Sequence, residues 1–168
     1  MEIFRGRRLW IEKREIRLPN GTVREKVIVH PSGAVAILPL QGDRCKLLRQ
    51  YRYAIDQYII EAPAGTMEPG EEPLATAGRE LIEETGFSAA SIVPKGFIYT
   101  TPGFTDEKIY LFEARDLSPS QEYEKDEDEV IDVIDVAVKD LPGMIRDGRI
   151  VDGKTICLIQ RCLEGGDD

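Results

Sequence analysis

The stretch from Gly65 to Phe87 reads G-T-M-E-P-G-E-E-P-L-A-T-A-G-R-E-L-I-E-E-T-G-F, and the rest of the chain is arranged around it. A loop carrying Pro69 and Gly70 runs into a segment of helical spacing. Pro73 suits a first turn, where its missing N–H costs nothing. Gly86 suits a left-handed stop. The spacing therefore predicts a helix over 73–85. At roughly 100° per residue, Leu74, Gly78, Leu81, Ile82 and Thr85 fall on one broad side, and Glu80, Glu83 and Glu84 cluster on the other. Glu80–Glu84 is an i,i+4 pair and Glu80–Glu83 an i,i+3 pair. Like charges so placed destabilise a helix by about 0.2–0.5 kcal/mol each. Arg79 alone lies beside them to offset the repulsion. Two readings stay open on helix geometry. One is a solvated acidic face, the ordinary fate of a charge run. The other is a platform for a divalent cation, because hard ions such as Mg²⁺ take oxygen ligands and share their shell with substrate phosphates.

Outward from this stretch, composition narrows the classes. The 168 residues suffice for one domain with a sizeable core. A net charge of −9 disfavours a nucleic-acid-binding surface, which selects clustered Lys and Arg. It leaves room for a small nucleotide, since a metal can bridge carboxylates to phosphates. The three cysteines, Cys45, Cys157 and Cys162, lack metal-type spacing, which favours a reduced, cytoplasmic protein. Cys157 and Cys162 sit in an apolar pattern and read as core. The N-terminus M-E-I-F-R-G-R-R has no apolar h-region and no run approaches 18 apolar residues, so neither a signal peptide nor a membrane span is expected.

In chain order, Ile3–Trp10 and Ile11–Leu18 read as strands, Asn20-Gly21 as a hairpin turn and Val23–Val29 as the returning strand. This charge-rich segment is thin in apolar residues and must lie against the rest of the domain or a second copy. His30-Pro31-Ser32-Gly33 breaks the pattern, and His30 reads as structural. The run A-V-A-I-L-P-L at 34–40 suits a buried strand. Strands follow at 45–53, where Arg49 and Arg52 are interleaved with Tyr51 and Tyr53, and at 58–61. An Arg beside aromatics can cradle a phosphate and stack on a base, or simply snorkel from a strand end. After the helix, strands are expected at 92–100, 108–114 and 130–138, and helices at 138–146 and 154–163. The polar segment 118–129, ending E-Y-E-K-D-E-D-E, is expected as a loop. Strands, one central helix, more strands and closing helices give an α/β class with a mixed sheet between helical layers.

The 65–87 stretch resembles the box of the Nudix hydrolase family: Gly65, Glu71, Arg79-Glu80-Leu81, Glu83-Glu84, Gly86 and Phe87 occupy every fixed position. The resemblance implies a Nudix-type α/β/α sandwich around a mixed sheet, and hydrolysis of a nucleoside diphosphate linked to another moiety, dependent on Mg²⁺ or Mn²⁺. It implies Glu80 and Glu84 as main metal ligands, Glu83 as ligand or water-positioner, a further ligand from the Ala64 carbonyl, and Glu71–Arg79 as an ion pair tying loop to helix. Pro102, sixteen residues after Gly86, together with E-A-P-A-G before the box and R-Q-Y-R-Y in the preceding strand, resembles the ADP-ribose pyrophosphatase subgroup. That likeness covers roughly residues 20 to 163. It implies a homodimer whose N-terminal strands are exchanged, with 1–32 as a dimerisation and substrate-pocket segment and 33–168 as the hydrolase domain. Arg52, Glu61 and Pro102 would then meet the substrate, and Arg24 would reach the partner's site. On the acidic loop the resemblance points to Glu127 as general base and Glu129 as an additional metal ligand, in a register uncertain by one or two residues; a solvated loop is the alternative. The expected reaction is ADP-ribose plus water to AMP plus ribose 5-phosphate. Rivals are cleavage of another nucleoside diphosphate sugar or dinucleotide, and a non-catalytic nucleotide sensor, for which an eroded box would be expected.

Overall fold

A computed structural model describes residues 1–121 and 130–163. Its centre is β4 (Ala34–Gln41), where the near-continuous apolar run buries every residue from Val35 to Leu40. Such a strand is covered on both faces, and its alternation divides the core in two. Ala36, Leu38 and Leu40 enter one cluster, with Leu158 and Ile159. Val35 and Ile37 enter the other, with Ala77 and Leu81.

Around β4 the main sheet is ordered β10-β5-β4-β9-β8, with β6 added to β5 and β7 to β4. The strands are β5 (Arg44–Arg52), β6 (Gln57–Glu61), β7 (Ala64–Thr66), β8 (Phe87–Tyr99), β9 (Lys108–Pro119) and β10 (Ile131–Ala137). Only β4 and β9 run parallel; the other pairings are antiparallel, so the sheet is mixed. Helix α1 (Pro73–Thr85) covers one face through Ala77 and Leu81. Helices α2 (Leu141–Arg146) and α3 (Gly153–Leu163) cover the other through Leu141, Met144, Leu158 and Ile159. This is the expected α/β/α sandwich. Cys45 and Cys162 are buried in it, and burial pushes their thiols up to about 11 and about 12, as suits core side chains.

A separate antiparallel sheet is made by β1 (Glu2–Arg5), β2 (Leu9–Arg17) and β3 (Val23–Pro31). Its hairpin turns at Asn20-Gly21 as expected, the Asn20 side chain accepting from the Thr22 N–H at 3.0 Å. It joins the segment after β8: the Val29 N–H donates to the Phe104 carbonyl at 2.9 Å. Beside this link, the ring of His30 stacks on Trp10 with centroids 3.9 Å apart. Its Nδ1 lies 2.6 Å from Asp106 and its Nε2 3.3 Å from Glu12. His30 is thus structural, and it is inside a strand rather than breaking one.

Other boundaries also differ from the sequence reading. The first break falls at Gly6–Arg8, not between Trp10 and Ile11, because Gly6 N–H closes a turn onto the Leu9 carbonyl. Strand β8 begins at Phe87, not Ile92, since Ser88 and Ala89 pair with Ser118 and Leu117. The expected helix at 138–146 starts as a 3-10 turn, Val138–Asp140, before α2.

Candidate active site

The site is built where α1 meets β7. The helix has the expected bounds, Pro73–Thr85, with Pro73 in its first turn. Gly86 has φ 77° and its N–H closes onto the Ile82 carbonyl, a left-handed stop that suits a residue without Cβ. The helical-wheel reading needs one correction. Leu74, placed on the apolar side, is exposed, whereas Glu80 and Glu84 are buried at 9% and 7% exposure. Only Glu83 of the three faces solvent to any large extent. The two buried glutamates turn inward because β7 packs against that face of the helix.

Each meets one residue of β7. Glu84 Oε2 accepts the Ala64 N–H at 2.7 Å. The Glu80 carboxylate lies so close to Gly65 that a Cβ there would overlap it. Glycine at 65 is therefore a requirement of close approach, not of dihedral freedom. Arg79 gathers the remaining charge. Its Nε and Nη2 pair with Glu71 at 3.0 Å each, and its Nη1 reaches Glu80 and Glu83 at 2.8 Å each. Nη2 also donates to the Thr66 carbonyl at 3.3 Å. The Glu71 hydrogen bonds to Arg79 hold its carboxyl down at about 2, and the Arg79 pKa is raised by the same pairing. Loop, strand and helix are thus tied through one guanidinium, as the expected Glu71–Arg79 pair requires.

Two buried carboxylates one helical turn apart offer the oxygen donors that suit a hard divalent ion, and Ala64 of β7 meets one of them through its N–H. Among the described residues no three acidic, His or Cys side chains converge on one point. Glu127 and Glu129, read as base and further ligand, lie outside the described residues.

The expected substrate residues fall in different places. Arg52, at the end of β5, forms a two-pronged pair with Glu61 at the end of β6: Nε to Oε1 at 2.7 Å and Nη2 to Oε2 at 2.6 Å. Glu61 is buried, which alone would raise its pKa, yet the Arg52 and Lys154 cations hold it below the usual carboxylate range. Arg49 instead lies over the Tyr58 ring at 4.0 Å and pairs with Asp132. Pro102 is exposed in the turn between β8 and β9, the segment whose Phe104 meets β3. Arg24 is exposed near the hairpin end of β3, bonded to the Val23 carbonyl; nothing in the chain joins it to Glu80 and Glu84 among the described residues.

Lys154 escaped the sequence reading. Its ammonium pairs with Glu61 and, at 3.0 Å, with Asp152. Asp152 caps α3 by accepting the Thr155 N–H at 2.9 Å, and the Thr155 hydroxyl accepts the Ala62 N–H at 2.8 Å. The run D-G-K-T before an apolar pattern carries this N-cap signal. What it could not carry is the docking of that turn beside Glu61.

A sequence model of the NUDIX domain matches residues 30–159. The chain is 38% identical over 161 residues to an ADP-ribose pyrophosphatase of Bacillus subtilis, covering 95% of this chain and 87% of that one. It is 37% identical, with the same coverage, to a methanol dehydrogenase activator of Bacillus methanolicus. A GDP-mannose pyrophosphatase of Yersinia pestis is 38% identical over 105 residues, 61% of this chain and 52% of that one. Among solved structures, an ADP compounds hydrolase superposes with a TM-score of 0.86 at 24% identity, covering 98% of this chain and 89% of that chain, which bears on the fold. With the box geometry intact and a family match spanning most of its length, the chain belongs to the NUDIX domain family.

Proposed function

We propose that this chain hydrolyses the pyrophosphate bond of ADP-ribose, giving AMP and ribose 5-phosphate. The observation that carries the reading is the extent of the likeness. Similarity to the Bacillus subtilis ADP-ribose pyrophosphatase runs over 161 residues, whereas that to the GDP-mannose pyrophosphatase runs over 105.

In this reading Arg52, held by Glu61, binds the diphosphate, and the Pro102 turn borders the substrate. Glu84 and Glu83 orient the site from the helix. The attacking water gives its proton to Glu127 and bonds to phosphorus as the bridging P–O bond breaks. Mg²⁺, or Mn²⁺ in its place, would be held by Glu80, Glu84, the Ala64 carbonyl and Glu129, and supplies charge neutralisation and a more acidic water. The assembly that goes with this chemistry is a cytoplasmic homodimer with exchanged N-terminal strands. Residues 1–32 serve the dimer and bring Arg24 to the partner's site, and 33–168 form the hydrolase domain. The exposed apolar side chains Ile3, Phe4 and Val27 on the three-stranded sheet support the dimer. The free thiols of Cys45, Cys157 and Cys162 support a reducing compartment.

A panel of ADP-ribose, GDP-mannose and NADH with Mg²⁺, with product analysis, tests the reading. AMP and ribose 5-phosphate should appear from ADP-ribose at the highest kcat/KM. Absence of those products while another substrate turns over well would overturn it. Glu84→Gln should lower the rate by about 10²-fold or more with the fold retained; near-normal turnover would remove Glu84 from the ligand set. A second reading, activation of a methanol dehydrogenase, is favoured by the Bacillus methanolicus relative. Adding the protein to such a dehydrogenase, with and without Glu84→Gln, decides it.

A further inference from the structure

We propose that Lys154 is a positioning residue: by sharing the Glu61 carboxylate it fixes the Arg52 guanidinium in the orientation that binds the substrate diphosphate. This rests on the reading of Arg52 as a diphosphate contact.

The side chain of Glu61 is 1% exposed. A carboxylate so buried must be paired, and Arg52 already pairs it with two parallel hydrogen bonds. A second cation is not needed for that purpose. Lys154 nevertheless also reaches Oε2, with its own side chain 13% exposed. It does so from the second residue of α3, at the positive end of the helix dipole, where an ammonium is disfavoured. Asp152, the cap of α3, offsets the ammonium locally at 3.0 Å, and Glu61 is its partner from outside the helix.

The surroundings are unusually well fixed. Asp152 accepts from both the backbone N–H and the hydroxyl of Thr155, at 2.9 and 2.6 Å. The Thr155 hydroxyl in turn accepts the N–H of Ala62, the residue after Glu61. The turn bearing Lys154 is therefore bonded to the backbone beside Glu61, and the ammonium is set relative to Oε2. With Oε2 shared between two cations, the Glu61 carboxylate is held from two sides, and Arg52 is paired to it in that orientation. Among the described residues the Arg52 Nη1 makes no hydrogen bond, so Glu61 holds one edge of the guanidinium and leaves the other for a ligand. Arg52 also lies within electrostatic reach of Glu84 on α1.

Charge gives a second consequence. Arg52 and Lys154 balance Glu61 and Asp152. Removing the ammonium leaves one excess negative charge where a dianionic diphosphate must dock, so substrate binding weakens more than the chemical step.

The test uses Lys154→Met and Lys154→Arg, both checked for folding by thermal unfolding. The first readout needs no substrate. The Arg52 Nε–H resonance, identified by its loss in Arg52→Lys, should exchange with water about tenfold faster in Lys154→Met than in wild type. The second is kinetic: KM for ADP-ribose should rise about tenfold in Lys154→Met, by more than kcat falls, and Lys154→Arg should recover most of it. Unchanged Nε–H exchange with unchanged KM in a folded Lys154→Met protein would overturn the proposal. So would an equal loss in Lys154→Met and Lys154→Arg. Should wild type give no AMP from ADP-ribose, the functional reading fails by itself, and the exchange readout still decides the role of Lys154.

Discussion

At residue 65 a methyl group has nowhere to go, since the Glu80 carboxylate occupies the space and is itself buried. Gly65→Ala must therefore push Glu80 away from β7 or open the loop. Overpacking of this kind costs about 1–3 kcal/mol. We expect a lower unfolding temperature together with a fall in AMP production of about 10²-fold, because the displaced group belongs to the proposed ligand set. Wild-type turnover in Gly65→Ala would show that Glu80 need not lie where it does. This residue was legible in the sequence only as a fixed glycine of the box. The steric reason was not legible, because it depends on a side chain fifteen positions away folding back onto it. Lys154 is the stronger case: Asp152 belongs to its own helix cap, but Glu61 lies 93 positions away on β6, and no local pattern joins the two.

At the scale of the element, α1 and its loop are one unit closed by Arg79. The Glu71 carboxyl stands at about 2 in the folded protein against 4.5 as its ordinary value, with Arg79 as the main cause. A depressed carboxyl stabilises the fold fully above pH 4.5, and that contribution is lost as pH falls from 4.5 towards 2. Glu71→Gln should therefore lower stability at pH 7 and flatten the loss seen between pH 4.5 and 2, measured by denaturant unfolding at a series of pH values. A variant whose acid limb matches wild type would place the acid sensitivity elsewhere. The bounds of α1 were readable because Pro73 and Gly86 act locally. Its orientation was not: the wheel put Glu80 and Glu84 on the polar side and left a solvated face and a cation platform both open, since a helix period reports polarity and cannot know that β7 brings a backbone N–H to meet Glu84. Strand β8 was shortened for a related reason. Ser88 and Ala89 carry weak strand preference, and their pairing is imposed by Leu117 and Ser118 across the ladder.

Across the whole molecule, the N-terminal sheet is joined to the segment holding Pro102 by the Val29–Phe104 hydrogen bond and by His30 between Glu12 and Asp106. Both ring nitrogens lie within hydrogen-bond distance of carboxylate oxygens. His30→Ala should cost about 1–2 kcal/mol and speed amide exchange at Val29 and Thr105 while leaving β4 unchanged. Unaltered exchange at Val29 would mean the sheet is held by backbone pairing alone. His30 is the chain's single histidine, so its ring signals identify themselves. The proposed dimer belongs to this scale too. Light scattering should give twice the chain mass for the full protein, and removal of residues 1–32 should yield a folded monomer that no longer hydrolyses ADP-ribose. A monomeric full chain with full activity would dismiss the exchanged strands. The layered class was legible from the order of strand and helix patterns, and the sandwich confirms it. The division of 2–31 into its own sheet could be guessed only from how little it can bury alone.

The parallel pairing of β4 with β9 sets Ala34 opposite Ile109, and everything from β5 to β8, including α1, is strung between them. During synthesis, β4 emerges long before its neighbour exists. Its two apolar faces, Val35 and Ile37 on one side and Leu38 and Leu40 on the other, must wait for α1 and then for α3, which follows every strand of the main sheet. Long-range closure of this sort is slow and leaves sticky surface exposed meanwhile. A nascent chain that ends before β9 therefore holds β4 without the parallel neighbour that completes its ladder.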